Sequence, residues 1–147
     1  MRTLMIVLVV AAGLTAAACD EKLSKLAGPT PGLEPTFASV QAQIFESTDS
    51  AGRRACVVCH TNVGRTPSGG MNLAHDGAYD QIVNVASARK PGAIRVIPGD
   101  PENSYLVHKV EGNPDIVGVR MPQGGPYLTD GQILILKRWI AIGAPRN

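Results

Sequence analysis

The spacing of apolar residues predicts a chain of short helices joined by loops rich in glycine and proline. Apolar side chains recur at three- and four-residue intervals with polar side chains on the opposite face, which is the pattern of an amphipathic helix. The predicted helices cover residues 37–46, 76–86, 101–111 and 130–142. A further helical turn is expected over residues 56–60. The predicted fold class is therefore all-α, with about four or five short helices and long loops.

Capping residues mark the ends of two predicted helices. Thr129 and Gln132 have the spacing of a capping box ahead of the last helix. Asp100 followed by Pro101 reads as an N-cap with proline at the first helical position. Gly112 is placed to end the helix that follows.

The strongest chemical signal is the sequence Cys-Val-Val-Cys-His at residues 56–60. Two thiols three residues apart, followed directly by histidine, form the attachment sequence of a c-type haem. Cys56 and Cys59 would bind the porphyrin covalently, and His60 would be the proximal iron ligand. Such a histidine usually donates its second ring proton to a carbonyl. We expect that acceptor in the loop 61–70, near Pro67.

The first residues have the features of an export signal, with a basic Arg2, an apolar stretch and then a run of small residues. Cys19 follows, as in a bacterial lipoprotein whose lipidated cysteine begins the mature chain. Ordinary cleavage at the same run and an uncleaved anchor are the alternatives. We expect a signal peptide over 1–18, a flexible tether over 19–35 and one domain over 36–147. The expected location is the periplasm, with a lipid on Cys19 holding the protein at a membrane surface.

Composition favours a cofactor and argues against nucleic acid as a partner. The chain has only two Phe, three Tyr and one Trp. A large flat cofactor would add apolar surface to so small a core. The formal net charge of +2 includes no basic run that could bind nucleic acid. With Cys19 assigned to the signal, Cys56 and Cys59 remain as one pair.

Several stretches together carry a resemblance to a known family. They are the haem attachment sequence, Gly-Asp-Pro-Glu-Asn-Ser-Tyr-Leu at 99–106, Arg-Met-Pro-Gln-Gly-Gly at 120–125, and 128–144. Over about residues 37–145 the chain resembles the small monohaem class I cytochromes c. The closer resemblance is to a bacterial c-type cytochrome domain of the planctomycete and proteobacterial kind.

The resemblance implies a small cytochrome c fold around one covalent haem c. In that family the first and last helices cross beside the haem edge. Here these would be helices 37–46 and 130–142, with Gly131, Phe45 and Trp139 as candidate contact residues.

The resemblance also implies Met121 as the distal iron ligand, and its place in a Gly- and Pro-rich loop favours ligation over core filling. His108 and His75 are weaker candidates, because a lone histidine is more often a surface or core residue. Met71 follows His60 too closely to reach the opposite haem face and is expected to pack against the haem. Arg120 is expected to be an exposed loop residue, with a haem propionate as its alternative partner.

These residues predict an electron carrier, not an enzyme, because two axial ligands leave the iron no open site. Its partners would be periplasmic or membrane-bound redox proteins. One alternative is a haem domain with a labile distal site for ligand sensing or enzymatic chemistry. Another is a haem-free module that uses Cys56 and Cys59 as a redox dithiol or, with His75 or His108, as zinc ligands.

Overall fold

The structure is a computed structural model that describes residues 28–147. The expected signal peptide, Cys19 and the first part of the tether lie outside the described residues. From residue 28 onward the expected tether packs on the domain instead of extending freely from it. Leu33 is 3% exposed and joins the core, and Thr30 is 4% exposed and accepts a hydrogen bond from Gln132.

The described part of the chain is built from helices and turns, which confirms the predicted all-α class. Beyond isolated β-bridges, residues 28–147 contain no strand. The helices are α1 (Phe37–Val40), which continues as a π-helical turn over Gln41–Phe45, α2 (Ala78–Ile82), α3 (Tyr105–Glu111) and α4 (Asp130–Ala141). Single 3-10 turns lie between them at Cys56–Val58, Ser68–Gly70 and His75–Gly77. Over the same residues no helix is long and apolar enough to cross a membrane.

Several predicted helix ends are confirmed by their capping contacts. The Thr129 hydroxyl accepts from the Gln132 backbone, and the Gln132 side chain accepts from the Thr129 backbone, so the capping box that begins α4 is complete. Gly112 ends α3 in the left-handed region at φ 79°, a conformation that glycine adopts without steric cost. Thr36 caps α1 through a hydrogen bond from the Ser39 backbone.

The helix predicted over 76–86 is wrong in its second half. α2 ends at Ile82, and the following residues bridge to the 94–96 segment through Val83–Val96 and Ala86–Ile94. Asn84 has a φ of 57°, which interrupts a helix and which asparagine tolerates better than most residues. Extended backbone also suits the β-branched valine at 83.

The helix predicted from residue 101 begins later, at Tyr105. Asp100 caps a turn instead: its carboxylate accepts from the Asn103 backbone, and its carbonyl accepts from the Ser104 hydroxyl. The same hydroxyl accepts from the Ile97 backbone at 2.9 Å. These bonds hold residues 100–104 as a turn, so the helix starts after Ser104.

In the core, residues from the beginning and the end of the domain pack against each other. Trp139 of α4 is fully buried, and its ring lies 5.7 Å from that of Phe37 in α1. Tyr79 of α2 meets Phe37 edge-on at 5.1 Å and donates its hydroxyl to the Ala144 carbonyl. Trp139 was expected at the contact between the first and last helices; its aromatic partner there is Phe37, and Phe45 is buried in the same core.

Candidate functional site

The two thiols of the attachment sequence lie on one tight turn. Cys56–Val58 is a 3-10 helix, and the backbone amides of Cys59 and His60 both donate to the Cys56 carbonyl, at 3.2 and 3.0 Å. Both cysteines are free thiols, with Cys56 half-buried and Cys59 exposed. The predicted helical turn is therefore present.

Cys56 lies against the end of the first helix. Its Sγ is 3.4 Å from the Ile44 carbonyl, to which the thiol donates. Burial raises the pKa of the Cys56 thiol to about 11. Cys56 is therefore a neutral thiol at physiological pH, and its polar proton has a partner in the chain.

The ring of His60 is held by a carbonyl in the loop where one was expected. Nδ1 lies 2.8 Å from the carbonyl oxygen of Ser68, next to Pro67. A carbonyl can only accept, so Nδ1 carries the proton and Nε2 keeps a lone pair. Burial lowers the pKa of His60 and outweighs the hydrogen bonds to the Ser68 and Met71 backbone, which raise it; the charges of Arg95 and Lys109 act in the same direction as burial. The neutral imidazole is the form that binds a metal.

The loop that supplies this carbonyl is itself tied to the attachment turn. The Ser68 amide donates to the Cys59 carbonyl at 3.0 Å, and the Leu73 amide donates to the His60 carbonyl at 2.8 Å. The loop is thus bound to the backbone on both sides of the His60 ring contact. His60 has a defined tautomer and a defined orientation.

Met121 lies half-buried in a loop anchored to the last turn of α3. Its amide donates to the Lys109 carbonyl at 2.8 Å. The Lys109 ammonium donates to two further carbonyls of the same loop, those of Val117 at 3.0 Å and Val119 at 2.6 Å. Lys109 thus holds the loop before Met121 through its side chain and Met121 itself through its backbone.

Arg120 is half-buried and binds the chain, which corrects the expectation of an exposed loop arginine. Its Nε donates to the Val110 carbonyl at 2.7 Å, and its guanidinium lies 4.2 Å from the centre of the Tyr127 ring. Its aliphatic part lies over Gly112, where an added Cβ would come within 2.7 Å of Arg120 Cδ. Arg120 therefore fixes the loop beside Met121.

The other two histidines contact carboxylate groups elsewhere in the chain. His108 is engaged at both ring nitrogens, with Asp115 at Nδ1 and with the Glu102 carbonyl at Nε2. The His75 side chain is 86% exposed and lies 3.8 Å from the Glu46 carboxylate. Among residues 28–147, no three His, Cys, Asp or Glu side chains converge as a metal site.

Two buried arginines near the site were missed by the sequence analysis. Arg53 is fully buried: it pairs with Asp49 at 3.1 Å and donates to four backbone carbonyls, those of Gln43, Ile44, Ser47 and Arg54. Arg95 is 8% exposed and donates to carbonyls of the His60 loop. Arg53 occurs in a polar stretch, whereas Arg95 lies between the apolar residues Ile94 and Val96; in both settings a charged side chain is normally expected to be solvated.

Comparison with protein-family models, with curated proteins and with solved structures finds no match for this chain.

Proposed function

We propose that this protein is an electron carrier with one covalently bound c-type haem, and that its domain has a small cytochrome c fold. The observation that carries the proposal is the hydrogen bond from His60 Nδ1 to the Ser68 carbonyl. It leaves the Nε2 lone pair available for a metal, in the turn that presents two free thiols. Two thiols and a neutral imidazole in this spacing are the donor set that a c-type haem needs.

Four residues would hold the haem. Cys56 and Cys59 would bind the porphyrin through thioether bonds, and His60 and Met121 would be the axial ligands. The haem would supply a one-electron iron couple, and a neutral thioether ligand favours its ferrous form. The chain's part is to fix both ligands, because small ligand movements between redox states favour rapid electron transfer.

The chain holds the two axial candidates by different means. His60 is oriented by a hydrogen bond to its ring, whereas Met121 is held through its backbone amide. A thioether accepts only weakly, so a methionine ligand is best placed by fixing its loop. Lys109 and Arg120 supply that fixation from α3.

Exposed apolar residues beside the attachment turn support a redox-protein partner. Val58 and Val63 are 51% and 74% exposed. Large apolar side chains in this position suit a weak, transient interface that excludes water without strong ion pairs. We propose periplasmic or membrane-bound redox proteins as partners, with a lipid on Cys19 confining the encounter to a membrane surface.

The first test is mass spectrometry of the protein made in a host that attaches c-type haem. We expect one haem attached to the peptide that contains Cys56 and Cys59. Two unmodified thiols would reject the proposal and favour the haem-free alternative.

The second test concerns the distal ligand. The oxidised protein should show the weak absorbance band at about 700 nm that is typical of methionine ligation. Met121→Leu should abolish this band and let the reduced protein bind carbon monoxide, whereas the control Met71→Leu should change neither. Ready binding of carbon monoxide by the unaltered reduced protein would favour the labile-site alternative.

A further inference from the structure

Arg95 is a buried cation directed at the loop that orients His60. Its Nη2 lies 3.3 Å from the carbonyl oxygens of both Gly69 and Gly70, the two residues that follow Ser68. Its Nη1 donates to the Gln81 carbonyl at the end of α2, at 2.6 Å. No described carboxylate lies within ion-pair distance of Arg95. The guanidinium is therefore used to join α2 to the loop.

The loop that contains Ser68 needs a contact from outside, because its two glycines allow many backbone conformations. Gly69 and Gly70 both have positive φ, at 63° and 62°. Glycine loses more conformational freedom on folding than any other residue, so two in succession define a turn poorly unless other groups hold it. The Ser68 amide bond to the Cys59 carbonyl and the Leu73 amide bond to the His60 carbonyl tie the loop to the attachment turn on either side of the two glycines. Between these ties the Gly70 amide bonds only within the loop, to the Pro67 carbonyl, and Arg95 holds the two glycine carbonyls from outside the loop.

Arg95 is itself fixed by its backbone. Its amide donates to the Val85 carbonyl at 2.8 Å, and its carbonyl accepts from the Leu106 amide at 2.9 Å. These bonds connect Arg95 to the segment after α2 and to the first turn of α3. The backbone from which the guanidinium extends is therefore held in place.

We infer that Arg95 is a positioning residue, which holds the Ser68 carbonyl in the place from which that carbonyl orients the His60 ring. This inference rests on the proposed function of His60 as an iron ligand. The hydrogen bond to Ser68 makes the imidazole a stronger donor and so stabilises ferric iron. A loosened loop should weaken that bond and raise the reduction potential.

The charge of Arg95 has the opposite effect and can be separated from its geometry. A nearby cation disfavours the more positive iron state, so losing the charge lowers the potential. Arg95→Lys keeps the charge but lacks the planar fork that reaches two groups at once. Arg95→Gln loses both. A more positive potential in Arg95→Lys therefore indicates positioning, whereas an unchanged potential in that variant indicates a charge role only.

The experiment uses the haem-loaded full chain and two readouts. One is the solvent exchange rate of the His60 Nδ1 proton, followed by NMR in the reduced protein. The other is the midpoint potential. For Arg95→Lys we expect exchange at least tenfold faster and a more positive potential; a tenfold change in relative ferric stability corresponds to about 59 mV for a one-electron couple.

Arg53→Lys is the matched control, because Arg53 is another buried arginine bound to backbone carbonyls but not to the His60 loop. It should lower stability without changing the ring-proton exchange or the potential. Unchanged exchange and potential in Arg95→Lys, with a lower potential in Arg95→Gln, would assign Arg95 a charge role only and overturn the inference.

Two further outcomes keep the test decisive. If Arg95→Lys does not yield folded protein, ring-proton exchange in Arg95→Gln that is as slow as in the unaltered protein would overturn the inference. Absence of haem from the unaltered chain would reject the proposed function itself, and the mass measurement detects this before any variant is made.

Discussion

Breaking the buried ion pair between Arg53 and Asp49 should lower stability strongly, and Arg53→Met is the change that tests this. The two side chains are 0% and 1% exposed, so solvent does not screen the pair. Removing one partner of a buried pair leaves the other charge uncompensated, which costs about 3–5 kcal/mol. The lost bonds to the Gln43 and Ile44 carbonyls place the expected value in the upper half of that range.

Urea denaturation at neutral pH measures this loss as a change in the free energy of unfolding. A double variant, Arg53→Met with Asp49→Leu, tests whether the loss comes from the pair. Removing Asp49 as well leaves no uncompensated charge, so the double variant should cost less than the sum of the single variants by about 1 kcal/mol or more. A cost below about 1 kcal/mol for Arg53→Met, or strict additivity, would refute the reasoning.

The loss of unfolding free energy in Arg53→Met should depend on pH. Burial opposes ionisation of Asp49, but hydrogen bonds from Gln132 and the Arg53 backbone, together with the Arg53 charge, outweigh it and hold the pKa of Asp49 below its ordinary 3.8. A lowered folded pKa gives stability that is present above the unfolded value and is lost as pH falls through the folded value. The difference between the unaltered protein and Arg53→Met should therefore narrow below about pH 4. A constant difference down to about pH 2 would contradict this account.

Two further predictions concern the attachment turn and the end of α3. In haem-free protein at pH 8, Cys59 should be alkylated before Cys56, because Cys56 has a pKa of about 11, so about one molecule in a thousand carries its thiolate. Fragment mass spectra of the labelled peptide locate the modification, and equal rates would be the contrary result. Gly112→Ala should cost more unfolding free energy than Gly118→Ala: both glycines have φ 79°, but only at Gly112 would the added Cβ meet Arg120, at 2.7 Å. The backbone strain common to both variants is about 1–2 kcal/mol. Equal costs in urea denaturation would show that the Arg120 side chain moves away from the added Cβ without a measurable cost.

Two helix ends were predictable from local signals, whereas the local signal of Asp100 and Pro101 placed the start of α3 too early. The Thr129 and Gln132 capping box and the Gly112 stop depend on residues a few positions apart, and the structure has both. The wrong helix boundaries occur where contacts between distant residues determine the backbone conformation. The segment after α2 keeps helical spacing of apolar residues, yet it pairs with 94–96, and the Ser104 hydroxyl delays α3 by bonding to the Ile97 amide.

The same division applies to the candidate site. The carbonyl acceptor of His60 could be predicted to within one residue of Pro67, because a short loop directly follows the histidine. Arg95 lies 35 residues after His60 in an irregular stretch, and no periodicity marks a side chain that folds back to that loop. Its importance follows only from burial and from the carbonyls that it reaches.

α3 connects the supports of both proposed axial ligands. At its first turn the Leu106 amide donates to the Arg95 carbonyl, and near its end the Lys109 carbonyl accepts from the Met121 amide. Arg95 braces the loop that orients His60, so one short helix lies between the two supports. A seven-residue helix has little intrinsic stability, and burial of Tyr105, Val107 and Val110 must hold it. Packing on the core thereby sets the separation of these two loops, and the proposed haem would need that separation to stay constant while its iron changes charge.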